Sequence, residues 1–513
     1  MKDATERWAQ LAGVSPPSAA SPPPTPSTRR PQQTLEHRIK SGGPLPPSAD
    51  ARDGALGNRP LTELGTARRL LDKYAGTLRF IPERKAWLLW RDGRWQWDRD
   101  GADVRTLAAE LHKDIYLEGS DAGPEARHFS DWARKCQTEQ VIRRVVSLAS
   151  DDPVIRVPVA HLDAMPELIG LAGGRVALDL RSGRQRPATE EDLITRSLGL
   201  EEMGQAEFAT RWTQLLEEVF GDGEVIEWLQ RYLGYALTGY AREHLLLFGW
   251  GTGANGKSVL INVCRQIWGG YARVIQPETL MNRQRQSGAP APDLVHLVGS
   301  RLVIGSETEE GQTLSEGLVK QLTSSDAITV RDLYQSPFEF VPTFKLFVAG
   351  NHRPNVKSAD HGIWRRIALL PFEQTFALAS RDALLPDKLA LEVPHILAWL
   401  VEGSRRYLKE GLGTLPGKIQ GANVDYKTEQ DVLAEWIAGH TRQDGAETAA
   451  NLYASYRTWA SEAQCSPISK QAFGRRLGER GLIKRHTNRG AGYVGISLLN
   501  SPGRNTDDHR DGW

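Results

Sequence analysis

The sequence has few cysteines and almost no net charge. Three of its 513 residues are cysteine, and 64 basic residues nearly balance 63 acidic ones, which leaves a net charge of +1. Cys136, Cys264 and Cys465 are too far apart in sequence for a paired metal-binding motif, so we expect reduced thiols. Because the whole chain is nearly neutral, nucleic-acid binding cannot be argued from total charge and would need local basic clusters.

The sequence also lacks a long hydrophobic run. No stretch approaches the ~20 apolar residues that a membrane-spanning helix needs. The N-terminus has no apolar region of the kind found in signal peptides. We therefore expect a soluble, cytoplasmic protein with no membrane partner.

The length and the local composition predict several folded units, because 513 residues exceed one ordinary hydrophobic core. The chain up to about residue 60 is rich in proline and poor in aromatic residues, which predicts disorder. We predict the following units: a disordered tail at 1–60, a mixed α+β domain at 61–200, a helical segment at 201–240, an α/β core at 241–385, a helical extension at 386–430, a further folded domain at 431–500 and a disordered tail at 501–513.

A tryptophan-rich hairpin is predicted near the start of the α+β domain. The turn at Asp92-Gly93 would pair Trp90 with Trp95 and Leu88 with Trp97, so these four side chains share one face. This face could stack single-stranded bases, but packing onto neighbouring helices is the favoured interpretation. Helices are predicted around 104–114 and 129–150, and a strand and turn at 174–183.

One motif identifies a candidate nucleotide site. Eight consecutive residues match the phosphate-binding pattern G-x-x-x-x-G-K-[ST], namely Gly251, Thr252, Gly253, Ala254, Asn255, Gly256, Lys257 and Ser258. The apolar stretch 245–248 precedes them and a helical pattern at 259–268 follows, which is the context that the motif requires. In such a loop the backbone N–H groups surround phosphates, Lys257 reaches the β- and γ-phosphate oxygens and Ser258 ligates Mg²⁺. We therefore expect a nucleotide hydrolase.

Two further apolar stretches end in polar side chains. The stretch 301–305 leads to Glu307, a candidate base that activates water, although an ordinary solvated strand end would have the same sequence. The stretch 344–350 leads to Asn351, which could orient the attacking water or could serve turn geometry instead. Farther along, Arg365 and Arg366 could stabilise transition-state charge, or could form surface ion pairs.

These motifs, taken in order, resemble those of superfamily 3 helicases. The resemblance is carried by Gly-Ala-Asn-Gly-Lys-Ser at 253–258, Ser-Glu-Thr-Glu at 306–309, Asn-His-Arg-Pro at 351–354 and Trp-Arg-Arg at 364–366. The segment 318–331 resembles the additional motif of that superfamily. The chain is most similar to the helicase part of phage and plasmid primase proteins, over roughly residues 61–500.

The resemblance implies an α/β AAA+ P-loop ATPase core that uses ATP and Mg²⁺. Such enzymes usually form hexameric rings that pull single-stranded DNA through a central pore, typically with 3′ to 5′ polarity. By position, Lys257 and Ser258 would bind the nucleotide and Mg²⁺. Glu307 would activate water and contribute to the metal site, and Asn351 would sense the γ-phosphate.

The resemblance also implies contacts with a neighbouring subunit and with DNA. Arg365 or Arg366 would reach across the subunit boundary. The hairpin at 328–340 would face DNA, with Arg331 contacting phosphate and Tyr334 stacking on bases, although a solvated hairpin tip has the same pattern.

Two departures from the family pattern limit this comparison. Ser306 stands where the common motor pattern has an aspartate before the catalytic acid, so metal ligation would rest on Ser258 and water, or Glu309 would share the acidic role. No primase domain is recognised upstream of the motor. We therefore do not expect primer synthesis, and a separate primase or polymerase is a candidate partner.

The 431–500 region has the order of a winged-helix DNA-binding domain. Helices are predicted at 452–459 and 469–478, followed by a strand at 493–498. The local basic residues include Lys470, Arg475, Arg476, Arg485 and Arg489. The helix at 470–480 would enter the major groove and the last two arginines would contact phosphate, whereas a protein-binding winged helix is the alternative.

The sequence as a whole therefore predicts an ATP-dependent replicative DNA helicase of a phage, prophage or plasmid-like element in a bacterial host. Its expected partners are single-stranded and forked DNA and further copies of itself. Two other functions remain open. One is a DNA-binding initiator or scaffold in which ATP controls only assembly, and the other is a P-loop kinase.

Overall fold

The protein is described by a computed structural model that covers residues 59–281, 290–306, 311–333, 337–356, 361–430, 432–463, 467–487 and 490–499. These residues belong to one compact unit, Ser48–Trp513. None of the helices within the described ranges could span a lipid bilayer. The unit boundaries predicted from composition stay predictions.

The first part of the fold is a three-stranded antiparallel sheet covered by helices. Its elements in chain order are α1 (Glu63–Tyr74), β1 (Leu78–Ile81), β2 (Ala86–Arg91), β3 (Arg94–Asp98), α2 (Ala102–Ser120), α3 (Ala126–Lys135) and α4 (Glu139–Ser150). The sheet has the order β1-β2-β3. Apolar residues of α1, α2 and α4 form one core with the side chains of Leu78, Trp87 and Leu89.

The tryptophan hairpin has the predicted register. Trp90 pairs with Trp95 and Leu88 pairs with Trp97 across β2 and β3. Leu88 and Trp95 are buried in a core that includes strands of the α/β sheet, and Trp90 and Trp97 pack against it. The hairpin therefore packs into the core, but this face meets the α/β core, and helices α1, α2 and α4 pack instead against the opposite face, which carries Trp87 and Leu89.

The helical pattern predicted at 129–150 is present as two helices. α3 ends at Lys135, and α4 begins after Thr138, whose extended backbone (φ −82°, ψ 141°) interrupts the helical path. Threonine is a favoured residue at the position before a helix, so the break matches a local signal that the apolar spacing hid. Cys136 is buried beside Ile115 and Ala133 at this break.

A second antiparallel sheet and two helices connect the first part to the α/β core. The elements are β4 (Leu168–Leu171), β5 (Val176–Asp179), β6 (Gln185–Pro187), α5 (Thr210–Phe220) and α6 (Gly223–Leu237). The strand and turn predicted at 174–183 correspond to β5 and to a turn in which Gly183 has φ of 73°. The helices expected between 211 and 238 are α5 and α6.

The next region is the α/β core. Its elements are β7 (Leu246–Trp250), α7 (Lys257–Trp268), β8 (Ala272–Val274), α8 (Pro277–Leu280), α9 (Pro292–Val295), β9 (Leu302–Ser306), α10 (Glu316–Leu322), β10 (Ile328–Val330), β11 (Phe338–Phe340), β12 (Lys345–Gly350), α11 (His361–Trp364) and β13 (Ile367–Pro371). Five of the strands form a parallel sheet with the order β13-β7-β12-β9-β8. β12 is buried along its whole length, as are the side chains of β13. Continuous burial on both faces is typical of a central parallel sheet.

The remaining elements form a long helical extension and a small terminal domain. They are α12 (Leu385–Glu410), α13 (Gly417–Glu429), α14 (Val432–His440), β14 (Thr441–Arg442), β15 (Ala446–Thr448), α15 (Ala449–Glu462), α16 (Lys470–Glu479), β16 (Ile483–Thr487), β17 (Gly490–Val494) and β18 (Ser497–Leu498). α14, α15 and α16 enclose a core around Trp436, Tyr456 and Phe473.

The strand predicted at 493–498 is wrong as one continuous element. β17 ends at Val494 and pairs with β15 and β16, whereas β18 pairs with β14. Gly495 between them has φ of 91°, a conformation that glycine adopts readily and that turns the chain toward a different partner.

Candidate active site

The loop between β7 and α7 is suited to bind an anion. Within the described part of the chain, the backbone N–H groups of residues 252–258 donate no hydrogen bond. Gly253 and Gly256 have φ of 110° and 88°, which lets the loop curl tightly before the helix begins. The unpaired N–H groups lie where the α7 dipole is positive, so the cradle fits the phosphates of a nucleotide.

The base of the loop is fixed to the end of β13. The buried Asn255 side chain donates a hydrogen bond from Nδ2 to the carbonyl of Phe372 at 3.2 Å. A Cβ atom at Gly251 would lie 2.3 Å from that Nδ2 atom and 2.4 Å from the Phe372 carbonyl oxygen. Gly251 is therefore required for this close approach, and the loop shape depends on a strand that follows it by more than 100 residues.

Lys257 and Asn351 meet at the carboxyl edge of the sheet. β7 and β12 are adjacent and parallel, so the loop after one strand and the residue after the other lie side by side. The Lys257 ammonium Nζ donates to Asn351 Oδ1 at 3.1 Å and also to the Gly251 carbonyl. Burial lowers the pKa of Lys257, because loss of solvent disfavours the charged ammonium.

Sequence reasoning missed two side chains beside this pair. The indole Nε1 of Trp250 donates to the Asn351 carbonyl at 3.2 Å. The Arg353 guanidinium lies 4.3 Å from the centre of the Trp250 ring and forms an ion pair with Glu429 of α13. Arg353 could have been identified from the sequence, because it lies two residues after Asn351. Its partner Glu429 could not, because 76 residues separate it from Arg353.

The predicted acid falls outside the described residues. β9 ends at Ser306, which lies one strand away from β7, on the far side of β12. Glu307 and Glu309 follow this strand end and lie outside the described residues. The structure therefore brings together the phosphate loop and Asn351, and places the end of the third strand at the same edge of the sheet.

The two arginines before β13 have different environments. Arg366 is half-buried and its Nη1 atom donates to Thr323 Oγ1 at 3.1 Å. Burial and then the charge of Arg365 lower the pKa of Arg366. Arg365 is exposed, so it is the one of the pair whose side chain is open to a neighbouring molecule.

Among the described residues, Ser258 is suited to act as a ligand for Mg²⁺. Its side chain is exposed at the start of α7 and makes no hydrogen bond with any residue that the structure describes. Among those same residues, no group of three or more histidine, cysteine, aspartate or glutamate side chains could hold a metal ion. A serine hydroxyl oxygen is the kind of ligand that Mg²⁺ prefers.

The predicted hairpin is present, with its tip outside the described residues. β10 and β11 pair in antiparallel orientation from Ile328 opposite Phe340 to Val330 opposite Phe338. Arg331 follows β10 and is half-buried, and Tyr334 lies outside the described residues. The structure therefore shows the base of the hairpin and the position of one of its two predicted DNA contacts.

The basic residues of the terminal domain divide into exposed and buried side chains. Lys470, Arg475 and Arg485 are exposed, whereas Arg476 is only 8% exposed, which does not fit a phosphate contact in this conformation. Arg476 lies in the same stretch of α16 as the core residues Phe473 and Leu477. Arg489 lies outside the described residues.

Comparisons with known proteins match two parts of the chain. The family model described as "D5 N terminal like" matches residues 67–221. A second model, described as "Family of unknown function (DUF5906)", matches residues 250–366, which contain the phosphate loop, Asn351 and the arginine pair.

Several similar proteins come from large DNA viruses. A protein of Acanthamoeba polyphaga mimivirus, provisionally named a helicase, is 27% identical over 343 residues, covering 62% of this chain and 35% of its own length. A protein of Frog virus 3 with the same kind of name is 27% identical over 271 residues, covering 49% of this chain and 28% of its own length. An African swine fever virus protein, provisionally named a primase, is 26% identical over 161 residues, covering 30% and 17%. The chain thus spans about a third or less of the length of these relatives.

A solved structure of the NrS-1 C-terminal region is also similar, with a TM-score of 0.47 and 11% identity, over 85% of this chain and 99% of that one. This similarity is too low to assign details of the fold. The family models and the viral relatives support a primase–helicase family of the phage and poxvirus type for this chain.

Proposed function

We propose that this chain is the ATP-hydrolysing motor of a replicative DNA helicase, a superfamily 3 AAA+ enzyme of a phage, prophage or plasmid-like element. The observation that carries the proposal is the contact between Lys257 and Asn351 beside a loop of unpaired N–H groups. A site of this kind holds nucleotide phosphates and places an amide next to the group that reaches the terminal phosphate.

Each residue of the site has a role in ATP hydrolysis. The N–H groups of residues 252–258 and the Lys257 ammonium would bind the phosphates, and Ser258 would hold Mg²⁺, which neutralises phosphate charge when bound. Asn351 would orient the attacking water and Glu307 would accept its proton. These residues would act by positioning the reacting groups and by electrostatic stabilisation, because phosphoryl transfer needs little covalent assistance from the protein.

The proposal includes a ring, most simply a hexamer, that moves on single-stranded DNA with 3′ to 5′ polarity and opens forked duplex. The exposed side chain of Arg365 supports its role as the finger that reaches a neighbouring nucleotide, while Arg366 is held by Thr323. The order of three helices followed by the β16–β17 hairpin supports a winged-helix reading of the terminal domain, with Lys470, Arg475 and Arg485 as DNA contacts. A separate primase or polymerase would supply synthesis.

The first experiment measures ATP hydrolysis by the purified chain with and without single-stranded DNA, together with its mass in solution with a non-hydrolysable ATP analogue. We expect DNA-stimulated hydrolysis and a ring-sized mass. Lys257→Ala should abolish hydrolysis, whereas Lys427→Ala, an exposed lysine on α13, should not change it. An unstimulated monomer that transfers phosphate to another acceptor would favour a kinase and contradict the proposal.

Glu307→Gln separates a motor from a scaffold. The glutamine keeps the size of the side chain and removes its basicity, so ATP binding should persist while hydrolysis and unwinding are both lost. If DNA unwinding continued without hydrolysis, the motor would be excluded. The initiator or scaffold function would be favoured by two results together. The Glu307→Gln variant would still assemble rings and load onto DNA at full efficiency, and the wild-type protein would not unwind DNA.

A further inference from the structure

Two residues after Asn351, the chain is attached to helix α13. Three contacts join the segment 353–356 to this helix or to the residue that follows it, namely the ion pair between Arg353 and Glu429, a hydrogen bond from the Tyr426 hydroxyl to the Pro354 carbonyl, and a hydrogen bond of 3.1 Å from the Val356 N–H group to Gln430 Oε1. The partners are separated by 72 to 76 residues along the chain. The segment that carries Asn351 is therefore fixed to an element that comes much later in the sequence.

Trp250 provides a fixed surface on the other side of Asn351. Its backbone lies at the end of β7, between β12 and β13, opposite Gly350 and Pro371. The indole Nε1 donates to the Asn351 carbonyl at 3.2 Å. The phosphate loop begins at the next residue, so Trp250 holds the Asn351 backbone in a set position relative to that loop.

Arg353 packs on the same indole ring. Its guanidinium carbon lies 4.3 Å from the centre of the Trp250 ring and 5.3 Å from the centre of the Tyr426 ring. The Glu429 side chain is 53% exposed, and an ion pair with so exposed a carboxylate would restrain Arg353 only weakly by itself. The two aromatic rings add attraction for the cation and limit its position. Arg353 thus joins Trp250 to α13.

Helix α13 is itself attached to the sheet that carries the phosphate loop. Among the described strands, β13 is at the edge of this sheet. The Asn423 side chain forms the hydrogen bonds that a further strand would form, because its Oδ1 accepts from the Leu369 N–H group and its Nδ2 donates to the Ile367 carbonyl, both at 2.9 Å. The helix that holds Arg353 therefore has a fixed position relative to the nucleotide site.

Asn351 depends on such support because its side chain is exposed and lies outside the regular elements. The amide is hydrogen-bonded to Lys257, which in the proposed reaction also binds phosphate. A reacting group must be held within about 0.5 Å of its productive position, and a misplacement of about 1 Å can cost about 10² in rate. The direction of the amide is then set by the backbone, which Trp250 and Arg353 restrain.

We propose that Arg353 is a positioning residue for Asn351. Because it is paired with Glu429 and packed on the Trp250 ring, Arg353 fixes the backbone that directs the Asn351 amide toward the attacking water. This inference rests on the proposed function, in which Asn351 orients that water. Arg353, Trp250 and Glu429 act through Asn351 and not on ATP itself.

The test measures how Arg353→Ala affects binding and hydrolysis of ATP by the full-length protein. We expect kcat to fall by about 10- to 100-fold, while the affinity for a fluorescent ATP analogue is unchanged. The loss should not exceed that of Asn351→Ala, because Arg353 acts through that residue. A parallel loss of nucleotide affinity would overturn the proposal and indicate a distorted phosphate loop.

A double variant separates positioning from a general structural role. When Arg353→Ala is added to Asn351→Ala, the residual kcat, measured with radiolabelled ATP, should not fall further, because the positioned group is already absent. Effects of independent roles would multiply. A double variant that is clearly slower than Asn351→Ala alone therefore overturns the proposal.

Glu429→Gln tests the same link at an exposed position, where misfolding is not a concern. It should lower kcat less than Arg353→Ala does and should have no effect in the Asn351→Ala background. Arg353→Lys keeps the charge that pairs with Glu429 and should restore part of the lost rate. Unchanged kcat in both Arg353→Ala and Glu429→Gln would overturn the proposal.

Arg211→Ala is the matched control. The Arg211 side chain is 17% exposed, against 18% for Arg353, and forms an ion pair with Glu218 within α5. Its loss removes a comparable contact in a different part of the fold, so the control should keep the wild-type kcat.

The wild-type protein distinguishes this inference from the proposed function. If the wild type hydrolysed ATP and all the variants matched it, the positioning role would fail and the motor would stand. If the wild type hydrolysed no ATP with single-stranded DNA and Mg²⁺ present, the proposed function would fail and this inference would fail with it.

Discussion

At the scale of single residues, the candidate site depends on side chains that meet across two adjacent parallel strands. Lys257 begins α7, Asn351 follows β12, and the two are joined by a hydrogen bond of 3.1 Å. Asn351 is exposed, so its amide can still reach a water molecule beside a bound nucleotide. The pair therefore links phosphate binding to the geometry of hydrolysis.

Asn351→Ala should separate these two steps. Loss of one preorganised polar group at a charged transition state costs about 10²–10³ in rate, so we expect that drop in kcat with nucleotide affinity changed only slightly. Steady-state hydrolysis and binding of a fluorescent nucleotide analogue measure the two effects. Asn451→Ala, at an exposed position on α15, is the control and should leave both unchanged. Equal hydrolysis by the Asn351 variant and the wild type would exclude a role for this amide.

Lys345 is a buried ammonium at the start of β12. Its Nζ donates to the carbonyls of Thr238, Tyr240 and Thr343. Burial, followed by the charge of Arg301, lowers the pKa of Lys345 well below its usual value. Between that lowered pKa and the usual value near 10.5, the unfolded chain binds a proton that the folded chain does not. Stability contributed by this residue therefore rises with pH through the window.

Lys345→Met should remove this pH-dependent component and leave three carbonyls without their donor. We expect a loss of about 1–3 kcal/mol in the free energy of unfolding and a flatter dependence of stability on pH in the alkaline range. Urea unfolding at several pH values measures both. Lys427→Met, on an exposed face, should retain the wild-type pH dependence. Parallel stability curves for the Lys345 variant and the wild type would contradict the assignment.

At the scale of elements, helices α6 and α12 touch backbone to backbone. A Cβ atom at Gly234 would lie 2.2 Å from the Ser404 nitrogen, and one at Gly403 would lie 2.2 Å from the Gln230 carbonyl oxygen. Ser404 Oγ donates to the Gly234 carbonyl at 2.7 Å. The two glycines therefore set the distance between the helical segment before the motor and the extension after it.

Gly234→Ala should force these helices apart. Overpacking a well-packed contact costs about 1–3 kcal/mol, and here the obstructing atoms are backbone, so we expect the upper end of that range. Gly421→Ala in α13, where nothing lies within 4 Å of the new Cβ, should instead stabilise the helix slightly. Thermal and urea unfolding compare the variants. A Gly234 variant as stable as the wild type would mean that the helices can separate without cost.

At the scale of the whole molecule, the proposed ring predicts that one subunit completes the site of the next. Lys257→Ala and Arg365→Ala should each be inactive alone. In a mixture of the two variants, the Arg365→Ala subunit has an intact phosphate loop, and the intact Arg365 of a neighbouring Lys257→Ala subunit can complete its site. In randomly mixed rings about a quarter of the interfaces would combine both intact groups, so we expect up to about that fraction of wild-type hydrolysis. Mixing Lys257→Ala with Lys257→Ala/Arg365→Ala is the control and should stay inactive. No recovery in the first mixture would place the finger within its own subunit.

Sequence patterns predicted those parts of the structure that depend on residues close together along the chain. The phosphate loop, its flanking strand and helix and the Trp90–Trp95 register follow from glycine spacing, apolar runs and an Asp-Gly turn, which act over a few residues. The break at Thr138 and the turn at Gly495 also had local signals, but longer apolar spacing concealed them. Glu307, Tyr334 and Arg489 stay predictions from sequence.

The remaining features were decided by the tertiary structure, because they join residues whose separation along the chain carries no pattern. The order of the parallel strands placed β12 next to β7 and brought Asn351 to Lys257. Packing buried Arg476, paired Arg353 with Glu429 and left Arg365 exposed while Arg366 bound Thr323.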